Sequence, residues 1–471
     1  LSATSLRNRI IGVLRCSPDT EVSKAAQKIK QNVVFSHPTI KQLAVHIAEL
    51  VSGDETGPTS ATTAIEEMIE KYSFGLTGVR KSADAPPALM VLLTGSTGRL
   101  GSYLLRDLLR DERVERVYTY NRPARGVAIQ DRQKAAFLDK GFSLGLLESN
   151  KLVYLEGNST LPWLGLSSDL CESVTVIIHG AWQPDFNLSL ASFEPHICGT
   201  RNLIDLASRS AHASTLRFLF TSSIASSQGW SPSRGSFPEE VQYDASVTVG
   251  GGYGEAKYVC ERILDKSGLH ATSFRIGQIT GGAPSGSWVT SDWVPSFIKS
   301  SLTLGAFPDA QGVASWLPAD VVSQAILDVM FSSQEPSIAL NIVHPRPFQW
   351  SSIIQSVADA LHHAGVVQES IPLIPFAEWF DRLNQKSRGA DADEIANIPA
   401  IKLLDFFRGM ASADKGVRQS GHTDMEVGSA TLSTAKSQAA SKAMAENDPF
   451  GNPKADVVHE WSIVEKFTDL A

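Results

Sequence analysis

The run Thr94-Gly95-Ser96-Thr97-Gly98-Arg99-Leu100-Gly101 constrains the fold of this chain more than any other stretch. It follows an apolar segment at residues 88–93 and opens a segment, 100–110, whose leucines keep helical spacing. Glycines in a strand-to-helix turn allow a tight reversal, backbone approach to a pyrophosphate, and close packing of helix on strand. The helix N-terminus adds free N–H groups and a partial positive charge for phosphate oxygens. GxxGxxG alone also suits a plain turn. The strand before it and the helix after it make it a dinucleotide signature.

The alternation continues. Apolar runs at 114–120, 151–155, 174–179, 216–220 and 271–276 read as strands, and 192–207 and 253–264 read as helices. Strands alternating with helices predict an α/β fold with a parallel, doubly wound sheet and right-handed crossovers. After residue 285 helices and irregular loops take over. Residues 1–50 read as helices, with Leu6, Ile10, Val13 and Leu14, then Leu43, Ile47 and Leu50, at helical spacing. Residues 52–63 (SGDETGPTSATT) read as a linker, and 64–72 as a short amphipathic helix. The polar, small-residue-rich stretches 388–393 and 411–430 are expected to be mobile loops. The expected division is 1–52 helical, 53–87 linker and short helix, 88–285 dinucleotide-binding, and 286–471 a smaller substrate-binding subdomain with segments returning to the core.

Bulk properties exclude several classes. The formal net charge of −8 argues against nucleic acid or an anionic membrane as partner. The longest apolar runs, 89–93 and 174–178, fall far short of the roughly 20 residues that span a bilayer. Arg7 and Arg9 interrupt any secretory signal, and the first residue is not Met, so a fragment of a longer chain is expected. Cys16, Cys171, Cys198 and Cys260 are isolated, which suits core-filling thiols in a reducing, cytoplasmic compartment. No metal site is expected, and the protein is expected to be a monomer.

The end of the second strand reads Tyr120-Asn121-Arg122, with no carboxylate for a ribose 2′-OH. Arg122, and Arg132 ten residues on, suit a 2′-phosphate instead, because guanidinium groups bind phosphate through paired hydrogen bonds. NADPH is the cofactor this pattern favours. Tyr253-Gly254-Glu255-Ala256-Lys257 places a tyrosine and a lysine on one helical face. A neighbouring ammonium stabilises a phenolate, so Lys257 is expected to lower the Tyr253 pKa. Phe220-Thr221-Ser222-Ser223 ends an apolar strand at the carboxyl edge of the sheet, where a hydroxyl can hydrogen-bond a developing oxyanion. Ser222 and Ser223 compete for that role, and Ser223 is favoured.

Together these motifs resemble the thioester reductase domains that end carboxylic acid reductases, aminoadipate reductases and nonribosomal-peptide-synthetase-like enzymes, within the extended short-chain dehydrogenases. TGSTGRLG, Arg122 with Arg132, FTSSIA, GYGEAKYVCERIL, FRIGQITGG and WLPADVV carry the resemblance. HGAWQPDFNLSLASFE, SDWVPSFIKSS and VHPRP bring it closest to fungal adenylation–thiolation–reductase enzymes. It implies a Rossmann domain in which Thr94 to Gly101, Asn158, Ser159, Gly180, Ala181, Ile276 and Gly277 line the cofactor, with Arg122 and Arg132 on its 2′-phosphate. Asn158 stands where related sequences often carry Asp. Ser223, Tyr253 and Lys257 would be the catalytic residues, and Trp182, Phe186, Trp288 and Trp293 would shape the acyl pocket.

Residues 1–52 resemble the second half of a carrier domain, through LSATSLRNRI and VFSHPTIKQLAVHI. That likeness implies a phosphopantetheine serine just before Leu1, so Ser2 and Ser5 are not expected to carry the arm. The implied partners are upstream carrier and adenylation domains and an acyl thioester substrate, released as an aldehyde or carried on to an alcohol. Another extended short-chain dehydrogenase, or a redox-inert relative that only docks or cyclises its substrate, remains open. NADPH consumption with a thioester mimic separates the three.

Overall fold

A computed structural model describes residues 2–29, 33–36, 40–52, 59–79, 81–82, 88–166, 170–186, 188–421, 426–427 and 430–445. Amphipathic spacing builds its first elements, α1 (Ser2–Arg15), α2 (Thr20–Lys28), α3 (Val33–Ser36) and α4 (Ile40–Ser52). They close around Leu14, Ala25, Ala26, Ile29, Val33 and Leu50. Asp19 caps α2, its carboxylate accepting from Glu21 N at 2.9 Å. α5 (Thr59–Ser73) begins inside the expected linker. Ile65 and Ile69, one turn apart, bury against the sheet domain, and that packing outweighs the weak helix propensity of 59–63.

The alternating part then runs β1 (Leu89–Thr94), α6 (Arg99–Arg110), β2 (Val114–Asn121), α7 (Ile129–Asp139), β3 (Leu152–Glu156), α8 (Leu170–Ser173), β4 (Val176–His179), α9 (Glu194–Ser208), β5 (Arg217–Ser223), α10 (Gly252–Ser267) and β6 (His270–Ile276). The C-terminal part adds β7 (Ile279–Thr280), α11 (Trp293–Leu304), β8 (Phe307–Asp309), β9 (Val313–Ala314), β10 (Leu317–Pro318), α12 (Ala319–Phe331) and β11 (Ala339–Ile342). It ends with β12 (Phe348–Gln349), α13 (Trp350–His363), β13 (Leu373–Pro375), α14 (Phe376–Lys386), α15 (Ala392–Asn397), α16 (Leu404–Ser420), α17 (Ala435–Ala440) and α18 (Lys442–Ala445).

Seven strands form one parallel sheet in the order β11-β6-β5-β4-β1-β2-β3. The chain runs outward from β1 to β3 and then crosses back to β4. That reversal opens a crevice at the carboxyl ends of β1 and β4, where ligands of such sheets bind. Period-two alternation gives the sheet two buried faces. Leu92, Ile177, Phe218 and Phe220 point into one core with α5, α9 and α10. Val91, Leu93, Ile178 and Leu219 point into the other with α6 and α12.

The sheet does not end at residue 285. β11 is its edge strand and α12 packs on α6. Residues 430–445 return to that edge, where the buried Glu239 carboxylate accepts from Asn341 N (3.0 Å) and Ser437 N (2.9 Å). The remaining C-terminal elements gather around Trp350, Trp379, Phe297 and Phe407.

Two expectations fail here. Residues 411–420 are helical, within α16, because Phe407, Met410, Ala411, Asp414 and Val417 bury along one face. Asp414 fixes that helix by accepting from Gln311 N at 2.7 Å. Residues 392–393 likewise open α15, started by an Asp391–Glu394 capping box. The cysteines also differ: Cys260 is buried, Cys198 half-buried and Cys16 exposed, while the Cys171 side chain lies outside the described residues. Among the described residues no helix is long and apolar enough to cross a membrane.

Candidate active site

The glycine turn is as tight as its composition requires. Gly95 has φ 77°, and a Cβ there would lie 2.9 Å from Ala181 Cα. A Cβ on Gly101 would lie 2.1 Å from Gly95 O. Such closeness brings β1, β4 and α6 together and leaves the α6 N-terminus facing the crevice, a cradle that fits a pyrophosphate. Ser96 is fully buried and turns its side chain inward. Its Oγ donates to Gln133 Oε1 (2.7 Å) and accepts from Asn121 Nδ2 (2.9 Å), while Thr97 Oγ1 reaches Asn121 Oδ1 at 3.5 Å. Leu100 packs on the core, so its contribution to the cradle is backbone.

Behind the turn, Thr94 Oγ1 accepts from Gly180 N (3.1 Å) and Ala181 N (3.0 Å). Its proton therefore goes to His179 Nδ1, 2.8 Å away. His179 Nε2 in turn donates to Thr200 Oγ1 at 3.1 Å, and Thr200 Oγ1 donates to His196 O at 3.0 Å. Burial, with Lys257 and His196 nearby, lowers His179 to about 3, so the ring is neutral. Ile276 is core, and Gly277 N donates to Ile342 O at 3.0 Å. A Cβ on Gly277 would lie 2.8 Å from Val343 Cγ1.

Past the carboxyl end of β2, Arg122 is exposed and Arg132 is half-buried. Arg132 Nη2 donates to Arg122 O at 3.0 Å and pairs with Glu156 at 2.5 Å. The carboxyl end of β2 carries no carboxylate, but β3 brings Glu156 opposite Asn121 in register. Asn158 is exposed and its Oδ1 accepts from Thr160 N (3.1 Å) and Oγ1 (2.9 Å). Ser159 O accepts from Asn202 Nδ2 at 2.7 Å.

Tyr253 and Lys257 lie on the first turns of α10, which packs onto the chain leaving β5. A Cβ on Gly254 would lie 2.1 Å from Ala225 O. The two serines separate cleanly. Ser222 Oγ donates to Glu261 Oε1 at 2.5 Å, and that buried carboxylate is held by Arg275 at 2.7 Å. Ser223 Oγ instead accepts from Ala225 N at 3.2 Å and lies near enough to Tyr253 to draw the phenol's pKa down. Lys257 Nζ donates to Thr221 O at 2.6 Å and sits 3.9 Å over the Trp182 ring.

The expected depression of the tyrosine by the lysine is not what governs this form. Burial pushes Tyr253 up to about 12, against a smaller downward pull from the Ser223 hydroxyl and with a further push from Asp292. Burial also lowers Lys257, to about 7.

Aromatic rings line the approach to Tyr253. The Phe186 ring is 5.2 Å from Tyr253 and stacks on Phe406 at 5.8 Å, and Phe406 lies 5.4 Å from Trp293. Trp182 stacks on His196 at 4.8 Å. Trp288 is buried, its Nε1 donating to Asp292 Oδ2 at 3.1 Å, so it supports this wall from behind. Sequence reasoning missed Phe406, Asn121, Gln133, Glu156 and Asp292. Asn121 and Glu156 could have been found as polar residues ending apolar strands; Phe406 and Asp292 carry no local signal. Among the described residues no cluster of His, Cys, Asp and Glu could hold a metal.

Adenylate-forming reductase Nps11 of Serpula lacrymans is 50% identical over 466 residues, 95% of this chain and 42% of its own length. Adenylate-forming reductase Nps9 of the same organism is 45% identical over 486 residues, 98% of this chain and 44% of its own. The chain thus spans less than half the length of these curated relatives. A carboxylic acid reductase of Neurospora crassa is 30% identical over 82% of this chain and 37% of its own length. The terminal R domain from the myxalamid PKS-NRPS pathway shares the fold, with TM-score 0.68 at 20% identity over 87% of this chain and 98% of that one. Residues 93–326 match the family described as Male sterility protein, an NAD-binding domain. With a glycine cradle that fits a nicotinamide dinucleotide and Ser223, Tyr253 and Lys257 gathered beside it, residues 93–326 belong to that NAD-binding family, and the chain is an oxidoreductase similar over most of its length to part of the adenylate-forming and carboxylic acid reductases.

Proposed function

We propose that this chain uses NADPH to release an acyl group, held as a thioester on a phosphopantetheine arm, as an aldehyde. The observation that carries the reading is the placement of Tyr253 and Lys257 one turn apart on α10, with Lys257 on Thr221 O at the end of β5 and Ser223 two residues further along that strand. Arg122 and Arg132 favour the phosphorylated dinucleotide. Asn158 and Ser159 stand at its adenine side, and Gly180, Ala181, Ile276 and Gly277 along its length.

Bound NADPH supplies hydride to the thioester carbonyl carbon, chemistry that belongs to the cofactor. Tyr253, near 12, keeps its proton at neutral pH and is loaded as the general acid. The Ser223 and Tyr253 hydroxyls hydrogen-bond the carbonyl oxygen as it gains charge, and Tyr253 passes its proton to it. Thr221 O takes one donor of Lys257; ribose hydroxyls are the partners this reading assigns to the others. Loss of the thiol from the resulting thiohemiacetal leaves an aldehyde and a free arm. Phe186, Phe406 and Trp293 flank the acyl chain on its way to Tyr253, with Trp182 beside Lys257 and Trp288 behind the wall.

The relatives' lengths support upstream adenylation and carrier domains as partners, with residues 1–52 the end of the carrier. Single-turnover NADPH oxidation with an acyl-pantetheine thioester, with products identified by mass spectrometry, tests the reading. Absence of aldehyde at saturating NADPH would refute it.

A further inference from the structure

Arg99 is the first residue of α6 and so belongs to the cofactor cradle, yet its side chain leaves that cradle. Its guanidinium donates Nη1 to Ile279 O at 3.0 Å and pairs through Nη2 with Asp292. Ile279 opens β7 and Asp292 precedes α11, so both partners belong to the part of the chain that follows the sixth strand. Asp292 stands at the N-cap of α11, where an aspartate ordinarily accepts from the helix's own N–H groups. It makes no such cap. Its carboxylate goes instead to Arg99 and to Trp288 Nε1. The next residue, Trp293, anchors beside the same point, donating Nε1 to Gln278 Oε1 at 2.5 Å, one residue before Ile279. Both groups of the ion pair are mostly buried, the side chains being 16% and 24% exposed, so solvent screens the pair little.

We infer that the Arg99–Asp292 pair is a coupling strut: it transmits occupation of the glycine turn by the dinucleotide to α11, and so orders the aromatic wall around Trp288 and Trp293 when cofactor is bound. Arg99 and Asp292 are positioning residues. A phosphate on the N-terminus of α6 fixes the backbone from which Arg99 springs, and the strut carries that constraint to the first turn of α11. The arrangement makes acyl-pocket order follow cofactor loading. It also keeps a guanidinium against the Asp292 charge, which pushes the Tyr253 pKa up. The inference rests on a nicotinamide dinucleotide filling the turn, and on the thioester reading only for its kinetic arm.

The test is hydrogen exchange of the whole chain with and without saturating NADPH, read on the amides of residues 293–304. In the wild type, cofactor should slow exchange there. In Asp292→Ala and in Arg99→Ala that slowing should disappear, while thermal unfolding remains cooperative. If Asp292→Ala fails to fold, Asp292→Asn, which keeps the volume and an acceptor for Trp288, serves instead with the same expectation. With a pantetheine thioester at saturating NADPH, Asp292→Ala should raise KM about 10-fold, and Arg99→Ala/Asp292→Ala should be no worse than Arg99→Ala, as coupled neighbours behave. Cofactor-dependent protection of 293–304 that survives in the Asp292 variant, or is missing from the wild type, overturns the inference. A wild type that shows the protection but reduces no thioester leaves the strut standing and removes only the thioester reading.

Discussion

Arg132 and Glu156 form a 2.5 Å ion pair beside the carboxyl ends of β2 and β3, with Arg132 also bound to Arg122 O. On the NADPH reading, Glu156 offsets one of the two cations proposed to meet the 2′-phosphate, and Arg122 bears most of the preference. Arg122→Ala should weaken NADPH binding about 10- to 100-fold, the worth of a charge-assisted hydrogen bond, and NADH binding far less. Glu156→Gln should tighten NADPH by at most about 5-fold, the range of an exposed pair. Fluorescence titration of both dinucleotides checks this. Equal losses for the two in Arg122→Ala refute the 2′-phosphate role.

Tyr253→Phe deletes the proton donor but keeps the ring that Phe186 and Phe193 pack against. Thioester reduction should fall by roughly 10²- to 10⁴-fold with NADPH still bound. Turnover near the wild-type rate would remove Tyr253 from the mechanism.

The adjacent serines should behave oppositely. Ser223→Ala should cost about 10²- to 10³-fold in rate, as for an oxyanion donor. Ser222→Ala should leave the rate nearly unchanged and cost about 1 kcal/mol of stability, because its hydroxyl serves Glu261. Paired kinetic and urea-unfolding measurements separate the two, and a large rate loss in Ser222→Ala would reverse the assignment.

Glu261 and Arg275 are both fully buried, and Arg275 also donates to Pro238 O and Glu240 O at 3.0 Å. Removing one partner strands the other, so Arg275→Met should destabilise the chain by about 3–5 kcal/mol. The urea midpoint reports it; a change below about 1 kcal/mol would mean that Glu261 is not stranded as a buried charge when Arg275 is removed.

His179 stays neutral in the folded chain to about pH 3, against 6.5 for an ordinary imidazole. Its folded pKa is the depressed one, so the unfolded chain takes up the proton first. Stability is thus complete above pH 6.5 and falls as the pH drops toward 3, by about 2 kcal/mol at pH 5 from this ring. His196, lowered to about 4 by burial and by Lys257 and Arg122, adds in the same direction. Unfolding free energies measured from pH 7 to pH 4.5 should show the fall, and a shallower one in His179→Gln. A pH-independent stability would place the charged ring in the folded state.

The local pattern of residues was enough to determine the strand–turn–helix around Gly95, the parallel alternation through Ile276, and Tyr253 with Lys257 on one helical face. Each depends on neighbours a few positions apart, where period, glycine spacing and helical pitch act directly. Helix α16 was misread because Gly409, Ala411 and Gly416 dilute its apolar stripe, and its order comes from burial against distant elements. Tertiary structure alone decided the rest. It pointed Ser222 at Glu261 and Ser223 at Tyr253, since two neighbouring residues on a strand face opposite sides and only the packed faces tell which is which. It set Glu156 on Arg132 across 24 residues and Asp292 on Arg99 across 193, contacts of charge that no local periodicity encodes. It also raised Tyr253 rather than lowering it, because desolvation depends on everything that surrounds the ring and not on the lysine one turn away.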